Sequence, residues 1–76
     1  MALRIIQWGT GAVGTEALST ILDPRSGFEL VGVKVHSADK DGVDAGTLIG
    51  RDPVGVLATT DLDRVLAVEA DCVVYT

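Results

Sequence analysis

Three glycines near the amino terminus have a spacing that suits backbone binding of phosphate groups. The turn that contains them consists of Gly9, Thr10, Gly11, Ala12, Val13 and Gly14, in the pattern G-x-G-x-x-G. In a dinucleotide-binding turn the first glycine permits the tight bend, the second admits a pyrophosphate next to the backbone, and the third lets a helix pack close to the sheet. The helix start then offers unpaired N–H groups and a positive dipole end to the phosphates. These six residues, the glycine turn, are the predicted cofactor-binding segment.

The elements around the glycine turn decide whether it binds a ligand or only reverses the chain. The apolar run of residues 3–8 stops abruptly at Gly9, which favours a buried strand. Apolar residues then recur at helical spacing over residues 14–22, and Asp23-Pro24 ends that helix. Gly14 inside a helix costs about 1 kcal/mol relative to alanine, which calls for a packing or functional reason. A strand, this turn and a helix in that order favour the dinucleotide-binding interpretation over a purely structural one.

The remainder of the chain alternates between apolar runs and turn signals. Residues 28–35 predict a second buried strand, residues 44–49 a short helix and residues 54–59 a short extended piece. Thr60 followed by Asp63 resembles a capping box and predicts a helix to about residue 69. Residues 70–75 predict a third buried strand that encloses Cys72. The predicted fold class is α/β, a partial Rossmann-type open parallel sheet of about three strands with flanking helices.

The residues after the second strand bear on the choice of nucleotide. NAD-binding proteins usually carry an acidic residue there, about 20 residues past the glycines, that binds the ribose hydroxyls. Here His36, Ser37 and Lys40 stand at this position, which favours the 2′-phosphate of NADP. Asp39 keeps NAD possible, because a loop could fold it onto the ribose. Thr76 follows the last strand, at the sheet edge along which a cofactor lies, and is a further candidate contact.

Composition limits the other classes of function. The chain has 76 residues, a net charge of −5 and six Lys and Arg residues without a cluster, which disfavours nucleic acid and anionic membranes as partners. The single cysteine allows neither an internal disulfide nor a zinc site, and fits a cytoplasmic protein. We predict no metal site, and no catalytic residue in this chain. An unpaired edge of the last strand would favour oligomerisation or other association.

Several stretches resemble the opening of dihydrodipicolinate reductase-like proteins, and more closely the branch of 2,4-diaminopentanoate dehydrogenase and native amine dehydrogenases. These stretches are RIIQWGTGAVG (4–14), VGVKVHS (31–37), GVDAG (42–46), GVLATTDLD (55–63) and ADCVVYT (70–76). The resemblance implies an NAD(P)H-dependent oxidoreductase that acts on C=N or amine substrates by hydride transfer. It also implies that the glycine turn holds the pyrophosphate, that His36 and Ser37 lie near the adenosine ribose, and that Thr76 lies beside the cofactor.

Two alternatives stay open at this level. On the main interpretation, residues 1–76 are the amino-terminal part of a dinucleotide-binding domain, and the substrate-binding and catalytic domain is absent. The first alternative is a non-catalytic, truncated nucleotide-binding remnant. The second is another nucleotide ligand on the same fold, such as a methyl donor, although such sites usually also need an acidic residue after the second strand.

Overall fold

The computed structural model describes residues 3–75 and contains a parallel sheet with helices against it. Its elements are β1 (Leu3–Trp8), α1 (Ala12–Ile21), β2 (Phe28–Lys34), a 3-10 turn (Ala38–Lys40), α2 (Ala45–Leu48), β3 (Ala58–Thr59), α3 (Leu62–Leu66) and β4 (Cys72–Tyr75). The α/β class and the Rossmann-type open sheet are therefore confirmed. No helix within residues 3–75 is both long enough and apolar enough to cross a membrane.

The sheet has four strands in the described residues, one more than predicted. Their order is β3-β2-β1-β4, and all neighbouring pairs are parallel. The added strand is β3, which lies at the end of the extended piece predicted for residues 54–59 and pairs through only two residues. Along the chain, β2 is added beside β1 and β3 beside β2, and β4 then pairs with the opposite side of β1. The carboxyl ends of β1 and β4 thus form the switch point at which open α/β sheets bind ligands.

Helix α1 positions the glycine turn by packing its apolar face against the sheet. Leu18 and Ile21 of the helix join Ile5, Leu30 and Val33 of the first two strands in one buried cluster. The helix starts at Ala12, two residues before the start that apolar spacing alone predicted, and is capped at Leu22, just before Asp23-Pro24. Burial of this face against β1 and β2 anchors the helix, so that its first turn stays fixed above the carboxyl end of β1.

Strand β4 corrects the prediction of a third buried strand. Cys72, Val73 and Tyr75 are exposed, and only Val74 is half-buried against the core. The reason is its place in the sheet: among the described residues β4 pairs with β1 alone, whereas α1 packs over β1 and β2. An apolar run identifies a strand but does not say whether another element covers it. The predicted association through this edge stays a prediction.

Helix α3 is shorter than predicted and begins one residue later. Its N-cap is Asp61, whose carboxylate accepts a hydrogen bond from the Asp63 N–H at 3.0 Å. Thr60, the predicted cap, instead directs its N–H and hydroxyl to the Asp41 carboxylate at 2.9 and 3.4 Å. The helix ends at Leu66 rather than near residue 69. The tertiary contact of Thr60 with Asp41 therefore outweighs its local capping preference.

The segment between α2 and β3 is organised around a single carboxylate, that of Asp44. Asp44 caps α2 by accepting from the Gly46 N–H at 2.8 Å, and also accepts from the N–H groups of Val54 at 2.9 Å and Gly55 at 2.8 Å. The Val54 hydrogen bond, with those of Gly55 and Gly46, holds the pKa of this carboxyl below its ordinary value, against an opposing effect of desolvation. Asp44 therefore stabilises this loop most when it is ionised.

We expect Asp44→Asn to lower the free energy of unfolding at neutral pH and to flatten its acid dependence. Asparagine has one acceptor oxygen where the aspartate has two, so it can accept from Gly46 and Val54 or from Gly55, and its NH2 group then faces the remaining N–H donor. Because the folded pKa is lowered, the contribution of Asp44 is present above the ordinary aspartate pKa of about 3.9 and is lost as pH falls through the folded value. Urea unfolding from pH 7 to pH 2 measures this effect, and the two proteins should converge at the acid end. Asp39→Asn, at an exposed position, is the control; a constant difference between wild type and Asp44→Asn at every pH would contradict the prediction.

Candidate functional site

The start of the glycine turn is held by two hydrogen bonds at the carboxyl end of β1. The Gly9 N–H donates to the Lys34 carbonyl at 2.9 Å, which continues the β1–β2 pairing by one residue. The Gly9 carbonyl accepts from the side-chain amide of Gln7, a fully buried residue, also at 2.9 Å. Gly9 has a φ of +103°, a conformation that side chains disfavour. The structure thus gives the first glycine the bending role predicted for it.

Gly11 presents bare backbone at the start of α1. It is the N-cap of the helix, is exposed, and has ordinary extended dihedrals of −68° and −167°. A Cβ built on Gly11 would meet no atom within 4 Å. No side chain caps the helix, and its first turn contains no acidic residue. The space beside Gly11 and the uncapped helix start have room and hydrogen-bond donors for a diphosphate, and the protein's own packing does not require a glycine at this position.

The other members of the glycine turn differ in exposure. Thr10 is buried, at 8% exposure, whereas the Val13 side chain is 67% exposed on the first turn of α1. Gly14 is buried within α1, as expected of the glycine that lets the helix approach the sheet. Ala12 is the first helical residue. The turn therefore exposes Gly11 and Val13 and anchors Thr10 and Gly14.

The residues after β2 lie beside the glycine turn. His36 and Ser37 are exposed, and Ser37 is the N-cap of the 3-10 turn that contains Asp39 and Lys40. The ammonium of Lys40 donates to the carbonyl and hydroxyl oxygens of Thr10 at 3.3 and 3.2 Å. The structure thus brings Lys40 together with the glycine turn and leaves His36 and Ser37 facing solvent. Thr76, the remaining predicted contact, lies outside the described residues.

A row of three side chains at the switch point was not predicted as part of the site. Trp8, the last residue of β1, is the register partner of both Lys34 and Tyr75. The two rings are 6.1 Å apart between centroids, at 42°, and the Lys34 ammonium lies 5.7 Å from the Trp8 ring centroid. Lys34 is only 7% exposed, and its ammonium also donates to the Val35 carbonyl at 3.0 Å. Only the strand register brings these residues together, and the linear sequence does not display it.

A separate cavity of about 290 Å³ lies between β2, β3 and α3. Its lining includes Val31, Val56, Thr59 and Val65, and none of the predicted cofactor contacts. Of the five residues of α3, only Val65 is buried, and it forms part of this lining. The candidate site is therefore the open edge formed by the glycine turn and the 3-10 turn, and this cavity is distinct from it.

Comparison with known proteins agrees with this geometry. The family model described as dihydrodipicolinate reductase, N-terminus, matches residues 3–75. An amine dehydrogenase from Streptomyces virginiae is 41% identical over 74 residues, an alignment that covers 96% of this chain and 20% of that protein. The chain thus spans about a fifth of the length of this relative. It belongs to the dihydrodipicolinate reductase N-terminal family of NAD(P)-binding domains.

Proposed function

We propose that this chain binds the diphosphate of NAD(P) at the glycine turn, as the amino-terminal part of an oxidoreductase's dinucleotide-binding domain. The observation that carries the proposal is Gly11, whose missing side chain leaves open space beside an uncapped helix start. The switch point between β1 and β4 lies at the same edge of the sheet. Family membership makes the dinucleotide a better fit than other nucleotide ligands on this fold.

NADP is the cofactor that the residues after β2 favour. His36 and Ser37 are exposed directly after β2, where a carboxylate would bind the ribose hydroxyls of NAD and repel a 2′-phosphate. A neutral or protonated imidazole and a hydroxyl can both donate hydrogen bonds to phosphate oxygens. Asp39 is the residue that would favour NAD, and it lies on the exposed 3-10 turn. We therefore propose His36 and Ser37 as 2′-phosphate contacts and Thr76 as a contact beside β4.

The reaction that we propose is hydride transfer on a C=N or amine substrate. The support is the resemblance of the motifs together with the amine dehydrogenase relative, of whose length the alignment covers 20%. A bound nicotinamide supplies or accepts the hydride. The part of this chain is to hold the dinucleotide: the glycine turn orients the diphosphate, and the β1–β4 edge with Trp8 and Tyr75 forms the adjoining wall. Substrate-binding and proton-transfer residues would belong to the further length that the relative possesses.

Titration with NADPH and NADH tests the proposal directly. Trp8 is the sole tryptophan of the chain and immediately precedes Gly9, so a ligand at the turn should quench its fluorescence or receive energy from it. We expect saturable quenching by both cofactors, with NADPH bound about tenfold more tightly than NADH. Circular dichroism beforehand verifies that the chain is folded, and free adenosine serves as a ligand control without a diphosphate.

Each outcome of the titration has one meaning. A folded chain that responds to neither dinucleotide contradicts cofactor binding and favours the non-catalytic remnant. Equal affinity for the two, or tighter binding of NADH, contradicts the NADP preference and leaves dinucleotide binding standing. Quenching by adenosine at the same concentrations would show that the turn does not recognise the diphosphate.

A further inference from the structure

Lys40 contacts the glycine turn from a distant part of the chain. Its ammonium donates to the backbone carbonyl of Thr10 at 3.3 Å and to the Thr10 hydroxyl at 3.2 Å, across a separation of 30 residues. Thr10 is buried and Lys40 is half-buried. Both hydrogen bonds are long but charge-assisted, and the partial burial of Lys40 limits competition from water, so that together they hold Thr10.

The turn that carries Lys40 is itself supported by backbone hydrogen bonds. The Lys40 N–H donates to the Ser37 carbonyl at 3.1 Å, and the Lys40 carbonyl accepts from the Val43 N–H at 3.2 Å. Val43 in turn accepts from the Ala58 N–H of β3 at 2.8 Å. These hydrogen bonds hold the backbone of Lys40 in place, in a position from which its ammonium reaches the glycine turn.

We infer that Lys40 is a positioning residue for the glycine turn, which acts on NADPH and NADH alike through Thr10. This inference rests on the proposed function, and it moves Lys40 from the 2′-phosphate contacts that the sequence predicts to the support of the diphosphate that the two cofactors share. The Gly9 N–H links the glycine turn to the Lys34 carbonyl at the end of β2, and the Lys40 ammonium links it a second time, to the 3-10 turn that follows β2. The first link fixes the Trp8–Gly9 peptide group and the second fixes the Thr10–Gly11 peptide group, and so the direction in which the backbone of Gly11 faces.

The charge of Lys40 also favours an equal effect on the two cofactors. The chain carries a net charge of −5, and the first turn of α1 contains no basic side chain among the residues from Ala12 to Glu16. Lys40 brings a cation to the phosphate-binding turn from outside the helix. A ligand with a doubly charged diphosphate would gain from this cation whether or not a 2′-phosphate is present.

The test compares Lys40→Met with Lys40→Arg and with Arg51→Met in the 76-residue chain. Arg51 is an exposed cation that donates to the Ser19 hydroxyl at 2.7 Å, so its replacement removes the same charge at a different place. We expect Lys40→Met to weaken NADPH and NADH by the same factor, about tenfold. Lys40→Arg should recover most of the affinity, since a guanidinium also donates to two oxygens. Arg51→Met should leave both affinities unchanged.

A second measurement uses the ligand-free protein. Backbone ¹⁵N order parameters of Thr10 and Gly11 should fall from about 0.85 toward about 0.6 in Lys40→Met and stay unchanged in Arg51→Met. A loss confined to NADPH would overturn the inference and assign Lys40 to the 2′-phosphate. Unchanged order parameters would overturn it as well. If the unmodified chain binds neither cofactor, the proposed function is wrong, and the order parameters alone decide whether Lys40 holds the turn.

Discussion

Gly11→Ala is expected to weaken dinucleotide binding by about a hundredfold, equivalent to about 2.7 kcal/mol, while the chain stays folded. A methyl group on Gly11 would enter the open space beside the helix start, where no protein atom lies within 4 Å. In the bound state that space would hold the diphosphate, which has to approach the backbone closely. The φ of −68° suits alanine, so the substitution adds no backbone strain.

Two measurements separate this effect from simple destabilisation. Because alanine at an N-cap costs up to about 1 kcal/mol relative to glycine, the melting temperature of Gly11→Ala should fall by no more than about 8 °C, since loss of 1 kcal/mol lowers it by about 4–8 °C in a domain of this size. The matched control is Gly32→Ala in β2, where the added Cβ would reach Ile6 Cγ1 at 3.4 Å, an ordinary contact. Unchanged cofactor affinity in Gly11→Ala would show that the diphosphate does not approach this residue.

Much of the site could be predicted because its signals are local. A glycine pattern flanked by a β-branched run and a helical repeat specifies strand, turn and helix within residues 3–21, and all three formed. Gly9 illustrates the reason. Its φ of +103° is a conformation that glycine adopts readily, so the residue type alone predicts it. The order of elements then determined the parallel pairing, because a helical crossover between adjacent strands permits little else.

What could not be predicted depends on contacts between distant residues. Cys72 lies in an apolar run that reads as buried, yet it is exposed because its strand pairs on one side only in the described residues. Thr60 has the residue type of a helix cap but binds Asp41, so Asp61 caps α3 instead. Lys40 carried the right chemistry for a phosphate contact, but its bond to Thr10 requires the fold of the intervening 30 residues. The type of a residue limits which contacts it can make, and the tertiary structure determines which of them forms.

The loop between α2 and β3 depends on a second glycine, Gly46 of α2, for a different reason from that of Gly11. A Cβ on Gly46 would collide with the backbone carbonyl oxygen of Asp52 and would lie 3.2 Å from Asp44 Oδ1. Neither atom can move freely, since the Gly46 carbonyl accepts from the Arg51 N–H at 2.8 Å and Asp44 holds the far side of the loop. Gly46 is buried, so there is no room for the collision to relax into solvent.

Gly46→Ala should therefore lower the free energy of unfolding by about 3 kcal/mol or more, a large part of the 4–11 kcal/mol that is roughly typical for 76 residues. Gly50→Ala is the matched control, because Gly50 has a φ of +75° but open space around its Cβ position. It should lose only the strain of a left-handed alanine, about 1–2 kcal/mol. Urea denaturation of both variants measures the difference.

The two glycine substitutions should also separate folding from binding. Gly11→Ala weakens binding and largely spares stability, whereas Gly46→Ala lowers stability and reaches the site only through the loop of residues 41–44, which joins the 3-10 turn to α2. If that loop holds Lys40 in place, the fraction of Gly46→Ala that remains folded should bind both cofactors more weakly, and by a similar factor, because Thr10 would lose its support. Wild-type affinity in the folded fraction would show that the loop and the glycine turn are independent. Equal destabilisation by Gly46→Ala and Gly50→Ala would contradict the collision with Asp52.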